Sequence, residues 1–253
     1  VNSWPKIGGQ RKDPVTGDDL LTGDGIHFNG AITNFQIVDN YIHDLDGNAI
    51  EFGGTPSGTT MDIQGNLFKA VLAPAIVTPV QLNAEYNSWG AMTAPTIPNV
   101  TTVPNTHVKV FVESSGTPWA NQVVAGNTIT YTVKAELKNI TGAEITLLYP
   151  IGISISGDVT KGGTFNTENV STAETGKIVF SGYQYPQEGE PPSPIEPVSG
   201  EGKVLFTVTF TVPSAGSYPL SFDLATDNFA MAPASGPSNY VYADSLTGAT
   251  IKG

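Results

Sequence analysis

The sequence contains no cysteine, few basic residues and no long hydrophobic run. Without cysteine, the chain cannot be a small scaffold held together by disulfides. Its 11 Lys and Arg against 23 Asp and Glu give a net charge of −12, and this shortage of basic side chains argues against nucleic-acid binding. No stretch approaches the roughly 20 apolar residues that a membrane span needs. The chain starts at Val1 without a charged-then-apolar leader, so we expect a processed product or a fragment.

The residues that are present favour β-structure. Val, Ile, Thr, Tyr and Phe dominate the apolar set, and 28 Gly and 19 Pro supply frequent turns. No segment has the 3.6-residue period of an amphipathic helix. We therefore predict an all-β protein, and its 253 residues are enough for one large or two ordinary domains.

Two series of similar segments repeat in the first third of the chain. The first series carries isoleucines 24 and 26 residues apart, at Ile26, Ile50 and Ile76. The second carries asparagines 26 and 21 residues apart, at Asn40, Asn66 and Asn87. Two strand series that share one irregular period predict successive turns of a solenoid, in which each strand pairs in parallel with its counterpart in the next turn.

The alternation within these segments predicts which side chains face inward. Phe28 and Phe52 fall on the inner face with the isoleucines, whereas His27 and Glu51 face outward as neighbours about 5 Å apart. The repeated asparagines would occupy the same corner of each turn. Stacked amides there can hydrogen-bond to one another and to the backbone at the bend.

With these repeats, residues 24–90 resemble the C-terminal turns of a right-handed parallel β-helix of the pectate-lyase-like type, and NAEYNSWG (83–90) is similar to a closing turn. The resemblance implies a short parallel β-helix. Residues 1–23 are expected to form an N-terminal arm or cap. Residues 91–106, rich in Pro and Thr and without charge, predict an extended linker.

From residue 107 the pattern changes to strands separated by turn signals, which predicts an antiparallel β-sandwich over residues 107–253. GNTITYTVKAELKNITGAEITLLYP (126–150), GKIVFSGY (176–183) and GEGKVLFTVTFTVPSAGSYPLSFD (200–223), with a final LTGATIKG (246–253), resemble a cohesin-type module. That resemblance implies a jelly-roll type sandwich. The Pro- and Glu-rich residues 183–202 predict a long exposed loop.

Glycoside hydrolysis needs two carboxylates at a defined separation, and the repeats offer Glu51 with Asp62, or Asp39 with Asp44. The alternative is that these residues are polar only because outward positions and bends of a solenoid are solvated. A polyuronate lyase would also need a basic residue, and Lys69 is the single one in the repeats. An enzyme's active site would therefore lie mostly outside this chain.

Calcium is the candidate cofactor. TGDDLLTGDGI (16–26) overlaps one copy of the Gly/Asp nonapeptide of calcium-binding β-rolls, and Asp18, Asp19 and Asp24 offer hard oxygen ligands. The alternative is a polar loop that leads into the first repeated strand.

Aromatic residues in or near predicted loops are candidates for stacking on sugar rings, namely Trp119, Tyr183 and Tyr185. The alternative role for each is core or edge packing.

The sequence favours a non-catalytic C-terminal portion of a secreted or cell-surface modular protein. It would act in adhesion or assembly, through contacts with other extracellular proteins or glycans. Two alternatives stay open: a fragment of a β-helix polysaccharide lyase or glycoside hydrolase, and a self-assembling surface-layer or filament subunit, which would be a homo-oligomer.

Overall fold

The computed structural model describes residues 6–8, 11–12, 19–20, 25–45, 47–71, 75–115, 122–185, 195–223, 228–230, 240–241 and 243–253. Every regular element within these ranges is a strand, which confirms the all-β prediction. No helix that could cross a membrane occurs among them. The chain divides into two compact units: residues 2–107 with 233–244, and residues 108–232 with 245–253.

The first unit is built from short strands that come in parallel pairs. In chain order these strands are β1 (Lys6–Gly8), β2 (Arg11–Lys12), β3 (Asp19–Leu20), β4 (Ile26–Phe28), β5 (Thr33–Val38), β6 (Tyr41–Leu45), β7 (Ile50–Phe52), β8 (Ser57–Gln64), β9 (Leu67–Val71), β10 (Ile76–Val77), β11 (Leu82–Asn83) and β12 (Val100–Thr101). Three sheets have the strand orders β10–β7–β4, β1–β6–β9 and β5–β8. All of their pairs are parallel. The short β2 and β3 form a separate antiparallel pair.

The register follows the repeats seen in the sequence. Ile50 pairs with Ile26 on one side and with Ile76 on the other, and Ile37 pairs with Ile63. Equivalent residues of successive repeats are therefore stacked, as the period predicted. The predicted strand pairing is confirmed.

Stacked apolar side chains form the core of this unit. Ile42 and Ile50 are fully buried, and the rings of Phe28 and Phe52 are stacked with centroids 5.0 Å apart. His27 between them is exposed, so the predicted inward and outward faces are confirmed. One face of each three-residue strand thus supplies the apolar burial that stabilises the unit.

The sequence predicted an extended linker over residues 91–106, but in the structure part of this segment pairs and packs with the first unit. β12 pairs in parallel with β11, with Val100 opposite Leu82, and Ile97 lies in the buried cluster of the first unit. The sequence carried a signal for this, because V-x-T-x-x-N from Val100 to Asn105 has the spacing of L-x-A-x-x-N from Leu82 to Asn87. The high Pro and Thr content and the lack of charge concealed one more repeat.

The second unit is a two-sheet sandwich. Its strands, with β23 included for chain order, are β13 (His107–Ser114), β14 (Thr128–Ile140), β15 (Gly142–Leu148), β16 (Ser154–Ile155), β17 (Thr160–Lys161), β18 (Thr167–Ser171), β19 (Lys177–Tyr183), β20 (Val198–Thr211), β21 (Ser217–Phe222), β22 (Asn228–Ala230), β23 (Tyr240–Val241), β24 (Ser245–Thr247) and β25 (Ala249–Lys252). One sheet has the order β16–β20–β14–β13–β24, with β17 also on β20, and the other has β18–β19–β15–β21–β25, with β22 also on β15. β20 pairs antiparallel with β14, β16 and β17, and β15 pairs antiparallel with β19, β21 and β22. The pairs β18 with β19 and β21 with β25 are also antiparallel, whereas β13 pairs with β24 in parallel.

Alternate residues of the long strands form the sandwich core. In β14, buried and partly buried positions alternate along most of the strand, as expected when one face packs and the other meets water. Phe180 of one sheet stacks on Phe206 of the other with centroids 6.0 Å apart. The contact between these rings joins the two inner faces, so the predicted β-sandwich is confirmed.

The expected long loop over residues 183–202 is shorter in the structure. Tyr183 ends β19 and β20 already begins at Val198, while residues 186–194 lie outside the described residues. Gly200 and Gly202, which both have positive φ angles, lie among the first five residues of β20. The register of β20 against β14 is irregular in this part of the strand. Such Gly-rich, charged sequence reads as loop because it lacks β-forming residues.

Candidate functional site

Glu51 lies on β7 in the outward row predicted from the repeats. Its Oε2 is 3.6 Å from Nδ1 of His27 on the neighbouring β4 and accepts a hydrogen bond of 3.0 Å from Nδ2 of Asn48. The Glu51 side chain is 29% exposed. It is therefore a carboxylate held by His27 of its own row and by Asn48, three residues before it in the chain.

Asp62 lies on β8, in a different sheet from Glu51. Its Oδ2 accepts a hydrogen bond of 3.1 Å from Nε2 of Gln36 on β5, its parallel partner in the register. Each of the two candidate carboxylates thus interacts with the preceding repeat of its own sheet. The structure places them on separate sheets.

Of the other candidate pair, Asp39 lies at the bend after β5, whereas Asp44 lies within β6. Their φ angles are 56° and 51°, the left-handed conformation that Asp tolerates better than most residues. Oδ2 of Asp44 is 2.7 Å from Nδ1 of the adjacent His43. The left-handed backbone conformation thus accounts for an aspartate at both positions, and a catalytic role for this pair stays a prediction.

The calcium candidates are largely outside what the structure describes. Asp18 and Asp24 lie outside the described residues, and Asp19 belongs to β3, opposite Lys12. Within the described ranges no group of three or more His, Asp or Glu side chains could hold a metal ion. Calcium binding by the three aspartates stays a prediction.

The repeated asparagines form the ladder that the sequence predicted. Nδ2 of Asn40 donates to Oδ1 of Asn66 at 3.0 Å, and Nδ2 of Asn66 donates to Oδ1 of Asn87 at 3.0 Å. Asn66 also donates to the carbonyl of Ile37 at 2.7 Å. These side chains satisfy buried backbone at the corner, and the prediction of stacked amides is confirmed.

A buried polar cluster in the first unit was missed by sequence reasoning. Oγ of Ser88 donates to Oδ1 of Asp244 at 2.5 Å, while Oδ2 of the same carboxylate is 2.9 Å from Nδ1 of His107. Nζ of Lys69 donates to the Asp244 carbonyl at 3.0 Å. Because the carboxylate lies between the hydroxyl and the imidazole, the imidazole is not placed to take the Ser88 proton, and the arrangement differs from a nucleophilic triad.

Of the aromatic candidates, the structure brings Tyr183 and Tyr185 together and leaves Trp119 outside the described residues. The two tyrosine rings are tilted by 46° with centroids 6.4 Å apart. Their side chains are exposed, Tyr183 by 38% and Tyr185 by 58%. This pair lies at the end of β19 on the second unit.

The electrostatic surroundings of Tyr183 are acidic. Burial of part of the side chain raises the pKa of the Tyr183 phenol, and the nearby Glu144 carboxylate, which also hydrogen-bonds it, and Tyr185 raise that pKa further. Glu144 lies on β15, two residues from the cross-strand partner of Tyr183. The site is thus an exposed aromatic pair beside one carboxylate.

The sequence matches no family model and no curated protein. Solved cohesin structures are similar to the sandwich part. A non-cellulosomal cohesin from Archaeoglobus fulgidus is 18% identical, with a TM-score of 0.42, over 58% of this chain and 90% of that one. The sixth cohesin of scaffoldin B from Acetivibrio cellulolyticus, solved with a dockerin, is 16% identical, with a TM-score of 0.43, over 58% and 99%. A cohesin from Clostridium acetobutylicum is 18% identical, with a TM-score of 0.43, over 58% and 92%.

Proposed function

We propose that this chain is a non-catalytic part of a secreted or cell-surface modular protein that acts in adhesion or assembly. In this proposal the second unit is a cohesin-type module that binds a partner protein. One observation carries it: the segments that resemble a cohesin fall on the long core strands of the sandwich, β14, β19 and β20.

We infer that the first unit is a short right-handed parallel β-helix that serves as a rigid spacer. Support comes from the parallel registers of Ile26, Ile50 and Ile76 and from the asparagine ladder. Such stacking joins each repeat to the next through backbone hydrogen bonds, which makes a stiff body.

The partner-binding proposal is tested by surface plasmon resonance with the full chain immobilised. Purified dockerin modules of several types, each loaded with calcium, are passed over it. Saturable binding to at least one module is expected, and competition by the same module in solution would show that it is specific. If none of the modules binds, the cohesin-type role is refuted for this chain.

Self-assembly is a second candidate because β4 and β5 are the outermost strands of their sheets among the described residues. An unpaired strand edge is a template for pairing with another chain. Sedimentation velocity at rising protein concentration tests this, since growth of larger species is expected for a subunit and a constant monomer would exclude it.

The polysaccharide-degrading alternative depends on Glu51 and Asp62. Their positions on separate sheets lead us to expect that Glu51→Gln and Asp62→Asn leave unchanged any release of reducing sugar by a longer parent protein. Loss of that activity in either variant, with unfolding unchanged, would instead assign the carboxylate to catalysis.

A further inference from the structure

We propose that Tyr183 and Tyr185, with Glu144, form a binding platform for neutral pyranose units of a glycan. The proposal deepens the adhesive role given above, and rests on it. The two exposed rings lie 6.4 Å apart between centroids and are tilted by 46° rather than stacked. Part of each ring face is therefore open to a ligand.

The Tyr183 ring is held in place by the strand beside it. Its cross-strand partner on β15 is Gly142, and a Cβ at that glycine would come within 2.9 Å of the Tyr183 ring carbon Cδ1. The missing side chain therefore lets the ring lie against the strand. A hydrogen bond between the phenol and Glu144 restrains it further.

Tyr185 is held through its backbone. Its N–H donates to Oδ1 of Asn166 at 3.1 Å, and its carbonyl accepts from Nδ2 of Asn166 at 3.0 Å. The backbone N–H of Asn166 in turn donates to Oε1 of Gln184 at 3.2 Å. The Asn166 side chain thus fixes the backbone of Tyr185 two residues after β19, so that ordering this segment costs little when a ligand contacts the ring.

The chemistry of this platform fits a neutral sugar. The C–H faces of a pyranose pack on aromatic rings, and its hydroxyls can donate to the Glu144 carboxylate. Thr167 lies opposite Tyr183 on β18 and adds a hydroxyl at the same level of the sheet. A net charge of −12 and the adjacent carboxylate disfavour acidic glycans.

A Pro-rich peptide is the other ligand that stacks on paired aromatic side chains. Polyproline segments offer few hydrogen-bond donors. They would leave unused the acceptor sites of Glu144 that remain beside its hydrogen bond with Tyr183, whereas a sugar hydroxyl donates to them. The carboxylate beside the rings therefore favours the sugar.

The test is a glycan array of neutral and acidic oligosaccharides probed with the full chain, followed by isothermal titration of the neutral glycans that bind. We expect saturable binding of neutral glycans, and weaker binding by about tenfold or more in Tyr185→Ala. Tyr185→Phe keeps the ring and should retain most of the affinity. Glu144→Gln, which changes one acceptor to an amide, should also weaken binding.

Ile151→Ala is the matched control, because Ile151 is 83% exposed on the same unit; its affinity should equal that of the unchanged chain. The proposal is overturned if no neutral glycan binds, if acidic glycans or a decaproline peptide bind more tightly, or if Tyr185→Ala binds as well as the unchanged chain. Absence of dockerin binding would not alter the results expected from the glycan array and the titrations. The glycan platform and the partner-protein role can therefore be refuted separately.

Discussion

The asparagine ladder offers the sharpest test of what holds the first unit together. Asn66 is 1% exposed, and its side-chain N–H groups donate to the carbonyl of Ile37 at 2.7 Å and to Oδ1 of Asn87 at 3.0 Å. Asn66→Asp keeps the shape of the side chain but replaces its donating NH2 group by a carboxylate oxygen. That oxygen would face two acceptors, the Ile37 carbonyl and Oδ1 of Asn87. Each unsatisfied buried group costs about 1–3 kcal/mol, so the variant should lose about 3–5 kcal/mol of unfolding free energy at neutral pH.

Guanidinium unfolding followed by Trp89 emission measures this loss, because Trp89 stacks on Phe68 within the same unit, with centroids 4.6 Å apart. Trp4→Phe and Trp119→Phe leave Trp89 as the one emitter. Asn29→Asp is the control, since Asn29 is exposed and the charge change is the same. If the two Asn→Asp variants unfold at the same denaturant concentration, the ladder does not contribute as argued. The deficit should shrink in acid, where the new carboxyl is protonated and can donate again.

Three further tests concern other buried groups. Burial raises the pKa of Tyr131 from 10.0 to about 12, so the folded chain binds the phenol proton more tightly than the unfolded chain does. The free energy of unfolding should therefore fall by on the order of 3 kcal/mol as the pH rises from 10 through 12. In denaturant titrations over this pH range, Tyr131→Phe should remove that part of the pH dependence. Ile97→Ala should lower the unfolding free energy of the first unit by about 2–4 kcal/mol, whereas a linker residue would give no change. Asp244→Asn should cost about 2–4 kcal/mol in thermal unfolding, because it removes the buried carboxylate that lies between Ser88 and His107 and replaces one of its acceptor oxygens by a donor. Equal melting of this variant and of the exposed-site control Asp158→Asn would contradict the prediction.

The repeats predicted the strand pairing of the first unit well, because each repeat contacts only the repeats next to it in the sequence. The spacing of equivalent residues is therefore enough to predict that Ile50 pairs with Ile26 and that Asn66 contacts Asn40. The prediction failed at residues 91–106, where composition outweighed a degenerate V-x-T-x-x-N copy. It also missed short strands such as β16 and β17, which are two residues long and leave almost no pattern.

The sequence by itself determined the all-β class, the inward and outward positions of the repeats and the corner asparagines. Those features depend on alternation and spacing along the chain, which are local properties. The two strand series of the sequence already put Glu51 and Asp62 in different outward rows, which the structure places on separate sheets. The tertiary structure alone decided that Ser88 meets Asp244, 156 residues away, and that Tyr183 lies against a glycine on the neighbouring strand. Contacts of that kind arise from how strands pair across the fold, and no short stretch of sequence specifies them.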